Sequence, residues 1–419
     1  MADVTPLPKQ KPVSDVSKHL RPISLTPILS KVAEEIVVNG FIKPAILSII
    51  DPSQYGPVPK SSTSYALISM LHHLTQSTDG NGCLARISLL DFRKAFDLID
   101  HHLLVDKIKS LVLPGWVEKW TIDFLTNRQQ RVKLPGGVFS DWSPVPAGVP
   151  QGTKLGPWLY ILMINDLNSD NALVWKYVDD ITACEIVTKG SVSSMQAVVD
   201  EIHNQSDDLK FTLNEDKCKE MRIQFTKTKT DCCPLVINSK ELELVRQVKV
   251  LGIIISNDLK WNCHVEYIVK KASKRMYFLR QLKRAGVAIS DMVNFYCSCI
   301  RSVIEYASTV FHYALPKYLS DDIEQLQKRA VTIICGPGLS YSDKLSTCGL
   351  QPLSSRRQSS CVKLMNNIVN DPNHKLYCLL PAFNVNCKYS LRHKRRFIQP
   401  IYKTDRFKKS FIQAALRDF

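Results

Sequence analysis

The spacing of hydrophobic positions differs between three regions of the chain. Before residue 80, apolar residues recur at helical intervals among prolines, most clearly over residues 28–49. Between about 83 and 255 the apolar runs are short and strand-like, as at residues 84–90, and a longer run at 173–187 is interrupted by a pair of aspartates. The middle region therefore predicts a mixed α+β unit.

Helical spacing returns after these strands and predicts three packed helices. From Val265 to Leu279, apolar residues follow at three- and four-residue steps while lysines and arginines occupy the other faces, which is typical of an amphipathic basic helix. We expect a second helix after Ser290 that runs through Val310. A third helix is expected after Ser320 and ends at Gly336-Pro337-Gly338.

Composition and charge narrow the possible partners. The 419 residues are 45% hydrophobic and 22% charged, enough for a buried core and two or three domains. Lysine and arginine number 55 against 39 acids, a net charge of +16 that favours nucleic acid first and an anionic membrane second. No apolar run reaches the roughly 18 residues of a membrane span. The polar N-terminus resembles no secretory signal, so we expect an intracellular protein with no membrane partner.

The cysteines and the basic tail are weaker signals. The thirteen cysteines are expected to be thiols, and no CxxC pair is present. His374, Cys378, Cys387 and His393 could form a metal site in principle, but their spacing fits no zinc-finger pattern well. Residues 388–409 carry nine lysines or arginines with aromatic residues between them. This composition suits either a nucleic-acid contact or a solvated charged surface.

Three aspartates carry the strongest chemical signal. Tyr177-Val178-Asp179-Asp180 lies between two strand-like segments, where aspartates are also common in ordinary turns. Asp91 ends another buried-looking strand. Carboxylates gathered at neighbouring strand ends repel one another, and divalent cations between them are the best explanation. Two such ions would serve an in-line displacement at phosphorus, so we expect nucleotidyl transfer with two Mg²⁺, or Mn²⁺ as the alternative.

Eight short motifs follow one another along nearly the whole chain. They are Leu20-Arg21-Pro22-Ile23-Ser24-Leu25, Gln54-Tyr55-Gly56 with Ser61-Ser62-Thr63, residues 91–97 with Asp100-His101, residues 127–132, residues 148–157, residues 177–180, residues 213–218, and Val250-Leu251-Gly252. In this order they resemble the reverse transcriptases of non-LTR, LINE-type (jockey-like) retrotransposons. A lone tyrosine-x-Asp-Asp is a weak signal, whereas eight ordered motifs are a specific one.

The resemblance implies an RNA-directed DNA polymerase with the right-hand fold, an antiparallel palm sheet and a helical thumb. The implied domains are fingers at 1–82, palm at 83–258, thumb at 259–338 and a basic C-terminal region at 339–419. The implied partners are an RNA template, a DNA primer and deoxynucleoside triphosphates. We find no endonuclease before the fingers, so two alternatives stay open: the chain is a fragment of a longer reading frame, or a separate endonuclease is its partner. We also find no ribonuclease H cluster after the thumb.

The resemblance also assigns the catalytic centre. Asp91 and Asp179 would be the principal metal ligands, Asp180 an acidic neighbour, and Phe92 would offer its backbone carbonyl. Lys217 would protonate the departing pyrophosphate, a general-acid role. A solvated surface lysine is the alternative interpretation of Lys217.

Four residues are implied to contact the incoming nucleotide. Arg21 resembles the fingers arginine that reaches the triphosphate, although an ion-pair role is equally compatible. Phe96 resembles the aromatic residue that excludes a ribose 2′-hydroxyl, with a core position as the alternative. Gln151 and Gly152 match the loop beneath the nucleotide and template, where the missing side chain of glycine admits a close approach. An ordinary Pro-Gln-Gly turn is the alternative.

Two further segments are implied to bind nucleic acid. Leu251 and Gly252 resemble the hairpin that grips the primer end. Lys270, Lys274 and Arg275 lie on the basic helix and would follow the template-primer duplex through its phosphates. A solvated helix face would show the same pattern.

Two competing hypotheses remain at this point. An inactive relic or fragment that only binds nucleic acid is favoured by the short segment before Arg21 and opposed by the three intact aspartates. An RNA-dependent RNA polymerase is disfavoured by Phe96. Nuclear action is implied by the family and supported by the basic run Lys394-Arg395-Arg396.

Overall fold

The protein is described by a computed structural model over residues 1–227, 230–383, 397–398 and 400–418. The strands are β1 (Ala2–Pro8), β2 (Leu20–Leu25), β3 (Leu84–Leu90), β4 (Gln129–Leu134), β5 (Val138–Phe139), β6 (Ser143–Pro144), β7 (Leu173–Tyr177), β8 (Asp180–Val187), β9 (Lys219–Ile223), β10 (Val236–Ile237), β11 (Lys240–Glu241), β12 (Glu243–Leu244), β13 (Gln247–Val250) and β14 (Ile253–Ser256).

The helices alternate with these strands up to residue 256, and the described elements that follow residue 256 are helices. They are α1 (Val16–His19), α2 (Ile28–Val37), α3 (Lys43–Ile49), α4 (Thr63–Ser77), α5 (His101–Lys109), α6 (Gly115–Leu125), α7 (Gly156–Ile164), α8 (Met195–Asp208), α9 (Asn262–Arg284), α10 (Ile289–Phe295), α11 (Ser302–Ile304), α12 (Ser308–Phe311), α13 (Lys317–Cys335), α14 (Tyr341–Thr347), α15 (Leu353–Asn370), α16 (Asp405–Lys408) and α17 (Phe411–Asp418). Val38–Ile42 and Tyr296–Arg301 are π-helical turns.

A five-stranded sheet in the order β12-β9-β3-β8-β7 forms the centre of the palm. Its pairs are antiparallel except that of β12 with β9. The central strand β3 is almost wholly buried because both faces are covered: Ile87 packs towards α4, and Leu90 packs towards α5 and α7. The strands predicted at 84–90 and 173–187 are confirmed, with the interruption at the aspartate pair, and so is the α+β class.

A second sheet, in the order β2-β1-β4-β5 with β6 beside β4, joins segments that are far apart in sequence. β1 is parallel to β4, with Val4 opposite Val132. Residues 129–144 thus pair with the N-terminal strands, not with the palm sheet. The predicted palm segment 83–258 is therefore interrupted here, because the chain leaves the palm sheet and returns to it.

Two of the three helices predicted after residue 260 are present in the thumb. α9 covers the basic pattern, and α13 ends at Cys335, directly before Gly336, but begins at Lys317, before the predicted start. The prediction of one continuous second helix is wrong. The helix continues through the π-helical turn at Tyr296–Arg301 and through α11 but stops at Ile304, and Ala307 takes a left-handed conformation with φ of 51°. The side chain of Tyr306 is thereby directed back onto the palm.

The C-terminal region packs on the rest of the protein instead of forming only a charged tail. α17 contacts α15 and α4, and its Ile412 is fully buried. Asp79, at the end of α4, accepts hydrogen bonds from Lys403 N (2.9 Å) and the Thr404 hydroxyl (2.6 Å). Of the predicted basic tail, residues 388–396 and 399 lie outside the described residues.

The described residues bear on three predictions: the state of the cysteines, the loose metal set and the membrane spans. The cysteines of the described part are all free thiols. Of the four residues that could form a metal site in principle, His374 is buried against the ring of Tyr65, and Cys387 and His393 lie outside the described ranges. The described residues alone therefore form no such site. Among the helices described, none is long and apolar enough to cross a membrane.

Candidate active site

The palm sheet brings Asp91, Asp179 and Asp180 to one edge. Asp91 directly follows β3, and the pairing of Leu90 with Ile181 places it beside the start of β8. Asp179 and Asp180 lie in the tight turn between β7 and β8, which we call the catalytic turn (residues 177–180). Val178 takes φ of 58° there, a left-handed conformation that a β-branched residue rarely adopts. The three carboxylates predicted from sequence are therefore neighbours.

The carboxylates share an excess of negative charge. Asp179 and Asp180 are exposed, yet nearby parts of the protein desolvate both carboxylates in part. This desolvation, together with the charges of Asp179 and Asp91, raises the pKa of Asp180 to about 6. Desolvation and the charge of Asp91 also raise the pKa of Asp179. The arrangement favours binding of a cation or a proton.

Two cationic side chains approach this edge from different segments. Lys217 Nζ lies 3.0 Å from Asp91 Oδ2, and the backbone N of Asn214 donates to the Asp91 carbonyl at 2.8 Å. Arg21 is exposed on β2, and its charge lowers the pKa of Asp179 against the larger effect of burial. The Arg21 guanidinium forms no ion pair with any residue of the described part of the chain.

The donor set fits Mg²⁺ in its chemistry. Within the described ranges, no three His, Cys, Asp or Glu side chains are gathered closely enough to form a ready-made metal cage. Mg²⁺ needs only one or two protein carboxylates and takes its other ligands from water and substrate phosphates. The Phe92 carbonyl accepts no hydrogen bond from the described residues. The buried hydroxyl of Tyr160, beside the three aspartates, also has no partner among them.

The residues predicted to contact the nucleotide lie on two adjoining segments. Phe96 is half-buried and stacks on Tyr160, with ring centroids 4.4 Å apart and an interplanar angle of 16°. Gln151 donates from Nε2 to Asp97 Oδ1 at 2.9 Å. Gly152 has φ of 104°, and a Cβ there would lie 3.0 Å from the carbonyl oxygen of Ser24. Only glycine fits this position without strain.

A buried glutamate holds the loop that contains Gln151 and Gly152. Glu34 on α2 is 1% exposed, and its Oε2 accepts hydrogen bonds from the backbone N of Lys154 (2.8 Å) and of Leu155 (3.3 Å). Ser24 N also donates to the Gln151 carbonyl at 2.8 Å. The N-terminal strands and α2 therefore position the loop.

The predicted primer grip is the turn between β13 and β14. Leu251 and Gly252 both have positive φ, as a tight hairpin requires. The Tyr306 hydroxyl donates to the Leu251 carbonyl at 2.8 Å and lies 2.9 Å from Thr63 Oγ1. A Cβ on Gly252 would lie 2.8 Å from Tyr306 Cε1. The thumb and α4 thus clamp this hairpin.

The three basic residues predicted on the thumb do not share one environment. Lys270 and Lys274 are exposed on α9. Arg275 is half-buried and donates to the carbonyl of Cys299, so it stabilises the thumb internally. The rings of Tyr277 and Phe278, each 56% exposed, add aromatic surface to the same helix.

Sequence reasoning did not single out Tyr160, Glu34 or Tyr306. Tyr160 is the polar residue of an apolar run, a signal that was available. Glu34 and Tyr306 act through contacts between segments far apart in sequence, and no local pattern identifies them.

Comparisons with known proteins agree with this geometry. Residues 7–255 match the model of the family described as reverse transcriptase (RNA-dependent DNA polymerase). Residues 261–302, a tenth of the chain, match the family described as alkylated DNA repair protein alkB homolog 8, N-terminal.

Two relatives and one solved structure are similar over much of the chain. The RNA-directed DNA polymerase from mobile element jockey of Drosophila melanogaster is 25% identical over 406 residues, which are 92% of this chain and 43% of that protein. The probable RNA-directed DNA polymerase from transposon BS of the same species is 25% identical over 356 residues, 80% and 38% respectively. A telomerase structure from Candida tropicalis, in complex with a TWJ fragment of telomeric RNA, has 12% identity and a TM-score of 0.46, over 89% of this chain and 58% of that one.

The chain spans less than half the length of these two relatives. The family match nonetheless covers more than half of the chain and contains the catalytic turn, Asp91 and the loop of Gly152. The resemblance inferred from the ordered motifs is confirmed, and the chain belongs to the reverse transcriptase (RNA-dependent DNA polymerase) family.

Proposed function

We propose that this chain is an RNA-directed DNA polymerase that copies an RNA template by extending a DNA primer with deoxynucleoside triphosphates. One observation carries the proposal: Asp91 and the catalytic turn meet at one sheet edge, beside Phe96 and the loop of Gly152. An acidic edge beside an aromatic side chain and the bare backbone of a glycine suits nucleotidyl transfer.

Reverse transcriptases generally use divalent metal ions. In this chain Asp91, Asp179 and the Phe92 carbonyl would hold two Mg²⁺, with Asp180 as the acidic neighbour and Mn²⁺ as the alternative metal. When bound, the ions would promote ionisation of the primer hydroxyl and offset the charge on the transferring phosphates. The raised pKa values of Asp179 and Asp180 support this assignment, because desolvation and neighbouring negative charge raise them and a bound cation would offset both effects.

Two basic residues would handle the charge of the triphosphate. Lys217 lies 3.0 Å from Asp91 and would give a proton to the departing pyrophosphate. Arg21 is exposed and close enough to Asp179 to affect its pKa, which suits a bidentate contact with phosphate oxygens.

The remaining site residues would select and orient the nucleotide. Phe96, fixed by its stack on Tyr160, would exclude a ribose 2′-hydroxyl by contact. Gln151, anchored to Asp97, and the bare backbone of Gly152 would form the surface beneath the base pair.

The nucleic acid would lie between the palm and the thumb. Leu251 and Gly252 would hold the primer end, and Lys270 and Lys274 would contact backbone phosphates. A separate endonuclease would supply the nick from which the primer extends, and this role would place the protein in the nucleus.

Primer extension on a primed RNA template with deoxynucleotides and Mg²⁺ tests the proposal. The parent chain is compared with Asp179→Ala/Asp180→Ala and with Asp321→Ala/Asp322→Ala, which removes two adjacent exposed aspartates from α13. We expect extension by the parent and the α13 variant, and none by the catalytic-turn variant. If the parent binds the template-primer but does not extend it, the chain is a binding relic and the proposal is wrong.

A further inference from the structure

Gln54 reaches the catalytic turn from behind although it faces no substrate. It is 1% exposed and lies in the segment 51–56 between α3 and α4. Its Oε1 accepts hydrogen bonds from Gly56 N (2.7 Å) and from Val178 N (3.2 Å). Because Val178 immediately precedes Asp179, the hydrogen bond acts on the backbone that directs the catalytic carboxylates.

The segment 51–56 also continues the palm sheet beyond β7. Tyr55 N donates to the Lys176 carbonyl at 2.7 Å, and Lys176 N donates to the Ser53 carbonyl at 2.9 Å. A Cβ on Gly56 would lie 3.0 Å from both Val178 N and Val178 Cγ2, so the backbones are in close contact. The catalytic turn cannot shift without this segment.

Lys375 of the C-terminal region holds the segment 51–56 in turn. Its Nζ donates to the carbonyls of Pro52 (2.9 Å) and Gln54 (2.7 Å) and lies 5.0 Å from the ring centroid of Tyr55. The ammonium therefore joins both ends of a short backbone stretch with charge-assisted hydrogen bonds. The neighbouring contact of Asp371 with Lys60 (3.2 Å) is more exposed and does not touch Gln54.

We infer that Gln54 is a positioning residue for the catalytic turn and that Lys375 keeps it in place, so the C-terminal region completes the active site from behind. The inference rests on the proposed function in one respect: positioning matters because the turn holds the metal. Loss of Lys375 frees two carbonyls, lets Gln54 move, and leaves the strained backbone at Val178 without its acceptor.

The first test measures the backbone directly and requires no activity. Hydrogen exchange of the Val178 amide is followed by mass spectrometry in the full-length parent, Gln54→Leu, Lys375→Met and the control Lys60→Met. We expect exchange at least about tenfold faster in Gln54→Leu and Lys375→Met, and no change in Lys60→Met. Lys375→Met keeps the apolar part of the side chain and is expected to fold. It therefore provides the test if Gln54→Leu does not fold. Parent-like exchange in Lys375→Met overturns the inference.

The second test separates positioning from a merely structural role. Mn²⁺ alone is titrated into each folded variant and free Mn²⁺ is followed by electron paramagnetic resonance, with Asp179→Ala/Asp180→Ala as the background. Lys375→Met should bind Mn²⁺ at least about threefold more weakly than the parent, and Lys60→Met equally well. Faster exchange with unchanged Mn²⁺ affinity would show that Lys375 only stabilises the fold. Both shifts in a chain that fails to extend primers would support the inference and reject the proposed polymerase activity.

Discussion

Lys176 is a fully buried lysine one residue before the catalytic turn, and Lys176→Met should destabilise the palm severely. Its Nζ lies 2.5 Å from Asp51 Oδ2 and donates to the carbonyls of Asn165 and Leu167, each at 2.8 Å. All three ammonium protons are therefore used. Methionine has a similar length and keeps the apolar packing, so the substitution removes mainly these three interactions.

The expected free-energy cost of Lys176→Met follows from the polar groups that the substitution leaves buried. Lys176→Met removes the cationic partner of the Asp51 carboxylate, whose side chain is only 11% exposed and keeps its hydrogen bonds from Ser53, and removes the lysine donor of two carbonyls. Breaking a buried pair in this way costs about 3–5 kcal/mol. Asp51→Asn should cost a similar amount, about 3–5 kcal/mol, because it leaves the fully buried Lys176 ammonium without its counter-charge, although both carbonyls still accept from it.

The pH dependence gives an independent check on the pair. Burial raises the pKa of Asp51, but the hydrogen bonds from Lys176 and Ser53 outweigh it, so the folded pKa lies below its ordinary value. Burial lowers the pKa of Lys176, and the charge of Asp51 opposes this shift. Because the contact between Lys176 and Asp51 is short, both side chains are charged. A lowered carboxyl pKa stabilises the fold above the unfolded value of about 3.9, and this stability is lost as pH falls towards the folded pKa. Asp51→Asn should therefore flatten the loss of stability below pH 4.

Urea unfolding, followed by tryptophan fluorescence, to which the buried Trp175 on β7 contributes, measures these differences as shifts of the midpoint. Lys107→Met is the control, since its partner Asp166 is 73% exposed and such a pair contributes at most about 1 kcal/mol. The reasoning is refuted if Lys176→Met costs less than about 1 kcal/mol, or if it costs no more than Lys107→Met.

Three further predictions concern the nucleotide site and the thumb. Gly152→Ala places a Cβ against the Ser24 carbonyl at positive φ and should cost about 1–3 kcal/mol, with a raised KM for deoxynucleotides in steady-state extension. Phe96→Ala should raise the incorporation of ribonucleotides relative to deoxynucleotides at least about tenfold, measured by competition in one extension reaction. Lys270→Ala/Lys274→Ala should reduce the slope of log affinity against log salt by about 2 for an RNA–DNA hybrid, with kcat unchanged, as binding titrations at several salt concentrations would show.

The palm could be predicted from sequence because its signals are local. The apolar run at 84–90 ends in Asp91, and the run at 173–187 is divided at the aspartate pair, so strand pairing alone brings the acids together. The parallel pairing of β1 with β4 has no local signal, because the two strands are separated by more than a hundred residues. The break in the second thumb helix depends on Tyr306 reaching Leu251, a contact that helical periodicity does not contain.

The catalytic turn depends on residues that carry no catalytic signature. The left-handed conformation costs a β-branched residue such as Val178 roughly 1–2 kcal/mol. Val178 keeps this conformation because neighbouring segments determine it. Gln54 accepts from the Val178 amide, Asp51 binds the lysine before the turn, and Lys375 holds the backbone between these two residues. Intact aspartates are therefore not sufficient evidence of a working polymerase in this chain. The segment 51–56 and the C-terminal lysine that clamps it must be present as well, because they determine where those aspartates point.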